Sequence, residues 1–187
     1  YTKAYIKLIT QNSYRILRLS NNIAQVSHYR SGTSRLNLKT GDLRAFLRGI
    51  CDAASILTES VGIPLSFASP DEIIMTAFDP GKLETVFCNL LSNSCKYTRD
   101  GNKISGRLEK QGGKALISVQ DRGAGIKSDV ISKIFEPYYS FKGDFKISGA
   151  GLGLSLVKYI VTQHGGTIAV ESHEGEGTKI AFSLPLR

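Results

Sequence analysis

No stretch of this 187-residue chain approaches the roughly 20 consecutive apolar residues of a membrane span. No secretory leader opens it either, although this speaks only for the residues in hand, since Tyr1 is not an initiator methionine. Cysteine is scarce. Cys51, Cys88 and Cys95 are odd in number and lack metal-ligand spacing, which argues against a zinc centre or a disulfide framework. Each falls in a helical pattern, so reduced, packed thiols in a reducing compartment are expected. Long runs of lysine and arginine are missing too, despite a net charge of +8. Nucleic acid is therefore not the expected partner, and a scattered cationic surface suits a polyanionic nucleotide or an acidic protein equally well. There is no internal repeat and no low-complexity tract.

What is present is an ordinary globular composition, 41% hydrophobic and 21% charged, at a length that suits one medium domain. Residues Thr2 to about Arg30 read as one long helix. Tyr5, Ile9, Asn12, Ile16, Leu19, Ile23 and Val26 recur at steps of four and three, a seam that a single helix cannot bury alone. The polar segment Arg30–Arg35 then reads as a hinge. Asp42 is placed to cap a helix to about Val61, closed by Gly62 at C′ and followed by Pro64. Two short strands follow, within "PLSFA" and "IIMTAF". The next helix runs from Pro80 to Tyr97, with proline in its first turn. Strands near 103–109 and 115–120 flank the hairpin signal Gly112-Gly113. A short helix is expected over Ser128–Ile134, an irregular stretch over Pro137–Ala150, and a helix over Leu152–His164. Strands "TIAVES" and "KIAFSLPL" close the chain across the turn "EGEG". The expected fold is α+β: a two-layer α/β sandwich with a mixed sheet of about five strands, three helices on one face, and the long N-terminal helix in addition.

Three constellations carry the chemistry. Gly149, Gly151 and Gly153 stand at alternate positions before a helix, where bare backbone and a helix N-terminus favour a phosphate. A P-loop would need Gly-Lys-Ser/Thr, but Leu154 follows Gly153. A dinucleotide fingerprint would need Gly-x-Gly-x-x-Gly after a buried strand. The spacing here differs and "FKGDFKIS" is too polar, although Glu171 sits at about the distance of a ribose-binding acid. In "NLLSNSCKYT", Asn89, Asn93 and Lys96 share one helix face. Carboxamide oxygens suit a hard cation such as Mg²⁺, and an ammonium suits phosphate oxygens. In "DRGAGI", Asp121 ends a strand before Gly123 and Gly125; a carboxylate there can accept from an exocyclic amine, but taken alone a plain turn aspartate is the better reading.

In this order and spacing the constellations resemble the nucleotide-binding domain of sensor histidine kinases, within the ATPase family that includes gyrase, the Hsp90 chaperones and the MutL repair proteins. The N box resembles Asn89–Thr98, the G1 box Asp121–Gly125, the F box "IFEPYY" and the G2 box Gly149–Gly153. The closing Gly-x-Gly-Thr motif is similar to Gly175–Thr178. Ser94 departs from the pattern, which more commonly has alanine there. The resemblance spans nearly the whole chain and implies a Bergerat-type fold, with 1–31 as the second helix of a dimerisation hairpin and 32–187 as the catalytic, ATP-binding domain.

By that resemblance Asp121 would take the adenine amino group, and Gly123 and Gly125 would let the backbone approach the base. Asn93 would hold Mg²⁺, with Asn89 as a second polar contact. Lys96 would meet a phosphate and Tyr97 would pack near the nucleotide, with Ile126, Leu152, Leu154 and Thr178 completing the site. Residues Tyr138–Ala150 would form a lid whose Gly149, Gly151 and Gly153 fold over the phosphates. Lys142 and Lys146 could reach the γ-phosphate or be solvated loop lysines. The ATPase branch carries a water-activating glutamate where this chain has Asn89, and a carboxamide is no general base. A kinase is therefore implied over an ATP-driven clamp; a degenerate nucleotide-sensing scaffold is the other alternative. His28, His164 and His173 read as structural or solvated, so the phosphate-accepting histidine and its acidic neighbour are expected on a helix outside this chain. The implied partners are a second copy through the dimerisation helices and a response-regulator receiver domain. The implied location is cytoplasmic for the domain, with anchoring of a longer protein in the inner membrane left open.

Overall fold

The structure, a computed structural model, describes residues 35–98, 102–139 and 151–186. The N-terminal helix expected over Thr2–Arg30 lies outside the described residues. In chain order the elements are β1 (Lys39–Asp42), α1 (Leu43–Glu59), β2 (Leu65–Ala68), β3 (Met75–Phe78), α2 (Pro80–Tyr97), β4 (Ile104–Gln111), β5 (Lys114–Asp121), α3 (Gly153–Gln163), β6 (Ile168–His173) and β7 (Gly177–Pro185). Five strands form one mixed sheet in the order β2-β4-β5-β7-β6, with β2 parallel to β4 and the other neighbours antiparallel. The two-layer α/β fold with three helices is as expected. The separate antiparallel ribbon of β1 and β3 is not, because "KTGD" carries no hydrophobic pattern.

Strand alternation builds the helix-facing side of the sheet. Ala115, Ile117 and Val119 of β5 are buried, as are Ile104 and Leu108 of β4 and Ile180, Phe182 and Leu184 of β7. Arg107, Glu109 and Gln120 on the intervening positions are exposed. The matching stripe on α2 is Leu83, Phe87, Leu90 and Ser94, spaced four, three and four. Fully buried Phe87 meets Phe182 edge-on at 6.5 Å between centroids. Burying such a ring is worth roughly 1.5–3 kcal/mol.

The helix starts follow their sequence signals. The Asp42 carboxylate accepts from Arg44 N at 3.0 Å and from Ile74 N at 3.2 Å, so one cap also fastens the β3 approach. Asp79 caps α2 through Lys82 N, and Pro80 follows it. Helix α1 stops at Glu59, two residues before the expected end. Ser60 is its C-cap, and Gly62, at φ +75°, sits one place beyond C′. The helix expected over Ser128–Ile134 is a turn leading into a single 3₁₀ turn, Ile131–Lys133. A segment so short cannot repay helix nucleation.

Candidate functional site

Period-two alternation carries past Val119, so the last residue of β5, Asp121, also points to the helix side. It is 6% exposed. Its Oδ1 accepts from Gly123 N at 2.9 Å and Thr178 N at 3.3 Å. Its Oδ2 accepts from the Ser94 hydroxyl at 3.3 Å. Burial raises its proton affinity above the ordinary carboxylate value, and these three donors partly offset that rise. A surface turn aspartate would be solvated, and this one is not.

Ser94 is the residue that sequence reasoning missed. It was a mere departure from a motif, yet it ends the apolar stripe of α2, where a polar residue signals a partner. One turn away on the neighbouring face, Asn89 is 6% exposed and its Nδ2 donates to the Thr85 carbonyl at 2.8 Å. Its Oδ1 faces α3, where a Cβ on Gly153 would lie 2.9 Å away. Asn93 and Lys96 are half-buried, and the Lys96 ammonium lies 4.9 Å from the centroid of the Tyr97 ring. Thr98 Oγ1 is buried without a hydrogen-bond partner among the described residues. Asp121, Ser94, Gly123, Tyr97 and Thr178 are therefore brought together, with Asn89 turned toward Gly153. Lys142, Lys146 and Gly149 lie outside the described residues.

The glycines have a structural reason that the sequence did not reveal. A Cβ on Gly123 would collide with the Tyr97 carbonyl, because the end of α2 is laid against the loop through the Thr98–Gly123 bridge and the bond from Ala124 N to Tyr97 O. Gly125, at φ +69°, is pressed on the His173 carbonyl, and Gly177, at φ +111°, on the Asp121 carbonyl. Gly151, at φ +66°, faces Tyr138 and Tyr139. At each of these positions the close neighbour is the protein's own backbone. Ile126 N donates to Ser172 Oγ, which in turn meets the Thr178 hydroxyl, so Ser172 is a second supporting residue. Leu152 is buried and Leu154 packs on the core.

The histidines and cysteines also gain particulars. His164, 6% exposed, has Nδ1 facing the Ile160 carbonyl at 2.8 Å and Nε2 accepting from Asp79 N at 3.1 Å. That pairing requires the neutral ring protonated on Nδ1, so it acts as a tie between elements rather than as a charge at a helix end. His173 precedes Glu174, a histidine–acid pair, but it is exposed at the end of β6 and not on a helix. Burial pushes the Cys51 thiol up to about 12. Cys95 is half-buried and Cys88 is exposed, so packing does not describe all three.

A buried carboxylate at a strand end, facing a helix that carries a carboxamide row, on a mixed sheet with helices on one side, defines a nucleotide-binding ATPase-type domain. Residues 78–187 match the family model described as histidine kinase-, DNA gyrase B- and HSP90-like ATPase, and the chain belongs to that family. Within it, the similarities are to sensor histidine kinases. The chain is 33% identical over 181 residues to the alginate biosynthesis sensor protein KinB of Pseudomonas aeruginosa, covering 97% of this chain and 30% of the relative. The catalytic domain of histidine kinase ThkA superposes with a TM-score of 0.71 at 26% identity, covering 81% of this chain and 99% of that one. The same kinase in complex with response regulator protein TrrA gives 0.76 at 24% identity, covering all of this chain and 52% of that one. Full-length ShkA in complex with AMPPNP gives 0.80 at 25% identity, over 98% of this chain and 38% of that one. The domain is a histidine kinase ATP-binding catalytic domain. The chain spans about 30% of the length of KinB. No helix among the described residues is long and apolar enough to cross a membrane.

Proposed function

We propose that this chain transfers the γ-phosphate of ATP to a histidine on a dimerisation helix. In this reading 1–31 supply the second helix of the hairpin and 32–187 the catalytic unit. The observation that carries the reading is Asn89. It stands where the ATPase branch has its glutamate, it is buried, and its amide is committed to the Thr85 carbonyl. Without a carboxylate at that point no base activates water, and the phosphoryl group is kept for another nucleophile.

Asp121 would read the adenine amine, because Oδ2 keeps acceptor capacity beyond the Ser94 hydroxyl. Lys96 and the amides at the start of α3 would meet the phosphates, with Tyr97, Gly123, Gly125, Ile126, Gly151, Leu152, Gly153, Leu154 and Thr178 around the nucleotide. Asn93 fits Mg²⁺ as a single carboxamide ligand. A cation held there would be completed by phosphate oxygens and water. Bound there, Mg²⁺ would neutralise phosphate charge. Partners on this reading are a second copy through the dimerisation helices and a response-regulator receiver domain, as for the ThkA complex. A cytoplasmic domain of an inner-membrane sensor is the matching location.

Incubation with γ-labelled ATP tests this. The chain is expected to hydrolyse ATP slowly alone and to pass acid-labile label to a supplied acceptor hairpin. Asn89→Glu is expected to raise hydrolysis about tenfold, less than general-base assistance can give, because the surroundings are shaped for an amide. Brisk acceptor-free turnover by the unaltered chain would instead favour a clamp, and ATP binding without transfer to any acceptor would favour a nucleotide sensor.

A further inference from the structure

Ser94 holds a position that core packing would assign to an apolar side chain. It continues the Leu83, Phe87, Leu90 stripe and is 5% exposed. A serine inside a helix ordinarily returns its hydroxyl to the carbonyl one turn back. Here the hydroxyl crosses from α2 to β5 and donates to Asp121 Oδ2 at 3.3 Å. The division of labour on the carboxylate is uneven. Oδ1 takes two backbone N–H groups, from Gly123 and Thr178, and is filled. Oδ2 takes only Ser94, so one acceptor position remains there, and the Ser94 hydrogen bond sets which one.

We propose that Ser94 is a specificity-determining positioning residue for the nucleotide base: by occupying one side of Asp121 Oδ2 it aims the remaining acceptor position at an exocyclic amine. The proposal rests on the reading of Asp121 as the acceptor for the adenine amine. An alanine at this position would leave Oδ2 with two open acceptor positions, either of which water or the base could take. The backbone donors would still hold Oδ1, so the carboxylate would stay in place but read less sharply. Ser94 adds a second effect of the same sign. Its hydroxyl stabilises the ionised form of a carboxylate that burial disfavours. The ionised form is the one that only accepts.

The test compares two ligands on the 187-residue chain by calorimetry: ATP, and the same triphosphate on unsubstituted purine, which lacks the amine. The unaltered chain is expected to prefer ATP. Ser94→Ala is expected to weaken ATP by about 5- to 10-fold, the scale of one ordinary hydrogen bond, and to leave the amine-free analogue within twofold. Ser94→Cys, nearly the same shape with a weaker donor, is expected to fall between. Equal losses on both ligands would mean that Ser94 merely packs, and an unchanged preference would mean that Asp121 needs no help; either result overturns the proposal. Should the unaltered chain bind both ligands equally, the Asp121 reading itself fails and the Ser94 proposal with it. Matching melting temperatures of the variants separate binding effects from misfolding.

Discussion

The two ends of strand β5 use glycine for opposite purposes. At one end Gly112 and Gly113, at φ +56° and +72°, turn the β4–β5 hairpin in open space, with nothing within 4 Å of either missing Cβ. At the other end Gly123 and Gly177 crowd round Asp121, each with a main-chain carbonyl where a Cβ would stand. The first pair answers a demand of backbone torsion, which asparagine and aspartate also meet. The second answers a demand of space, which no other residue meets. The functional end of the sheet is the one where chain segments converge, and the buried carboxylate sits inside that convergence.

Three substitutions sharpen or break this contrast. Gly123→Ala should have the largest effect. It drives a methyl group into the Tyr97 carbonyl, and about 2–4 kcal/mol of stability should be lost in urea unfolding. An unfolding midpoint equal to that of the unaltered chain would show that the loop moves away at little cost.

Asp121→Asn comes second and should act in opposite senses on stability and binding. Burial raises the carboxylate's proton affinity in the folded chain above its unfolded value. The folded state therefore binds the proton more tightly. Stability supplied by the protonated group is present below the unfolded value and is lost as pH rises through the raised folded value. At neutral pH the ionised Asp121 is thus a cost, which the neutral amide removes while still accepting from Gly123 and Thr178. The variant should be as stable as the parent or more so at pH 7, with the gain vanishing in acid, and should bind ATP about 10- to 100-fold more weakly. Lower stability together with unchanged ATP affinity in calorimetry would place Asp121 among structural residues. Gly112→Asn should change least, within about 0.5 kcal/mol by the same unfolding assay, since asparagine tolerates positive φ and meets nothing there. A loss as large as that at Gly123 would erase the distinction between the two ends.

Periodicity and spacing made most of this fold readable before any coordinates. The Asp42 cap, Pro80 in the first turn of α2, the Gly112-Gly113 hairpin and the helix after Gly153 are local signals with local consequences, and they appear where the chain spells them. Strand β1 was hidden because its ladder to β3 is built from backbone groups, and Lys39, Thr40, Gly41 and Asp42 advertise no buried face. The site was readable as a set of motif positions, but not in its supports. Ser94 reaches Asp121 across 27 positions and His164 reaches Asp79 across 85, distances over which one-dimensional pattern carries no information. The glycines were legible only in part. Bare backbone at Gly123, Gly125 and Gly151 suggested room for a ligand, but not that other parts of the chain press close there as well.

The His164 tie has a mechanical meaning. It clamps the last turn of α3 to the cap of α2, while at the opposite end of the helix Gly153 meets the Asn89 side chain. Taken as a rigid rod, helix α3 has its fulcrum at the imidazole and its tip at Gly153, which packs against Asn89 beside the buried Leu152. Eleven residues span about 16 Å, so a tilt of about 5° at the fulcrum moves the tip by about 1.4 Å, half the length of a hydrogen bond.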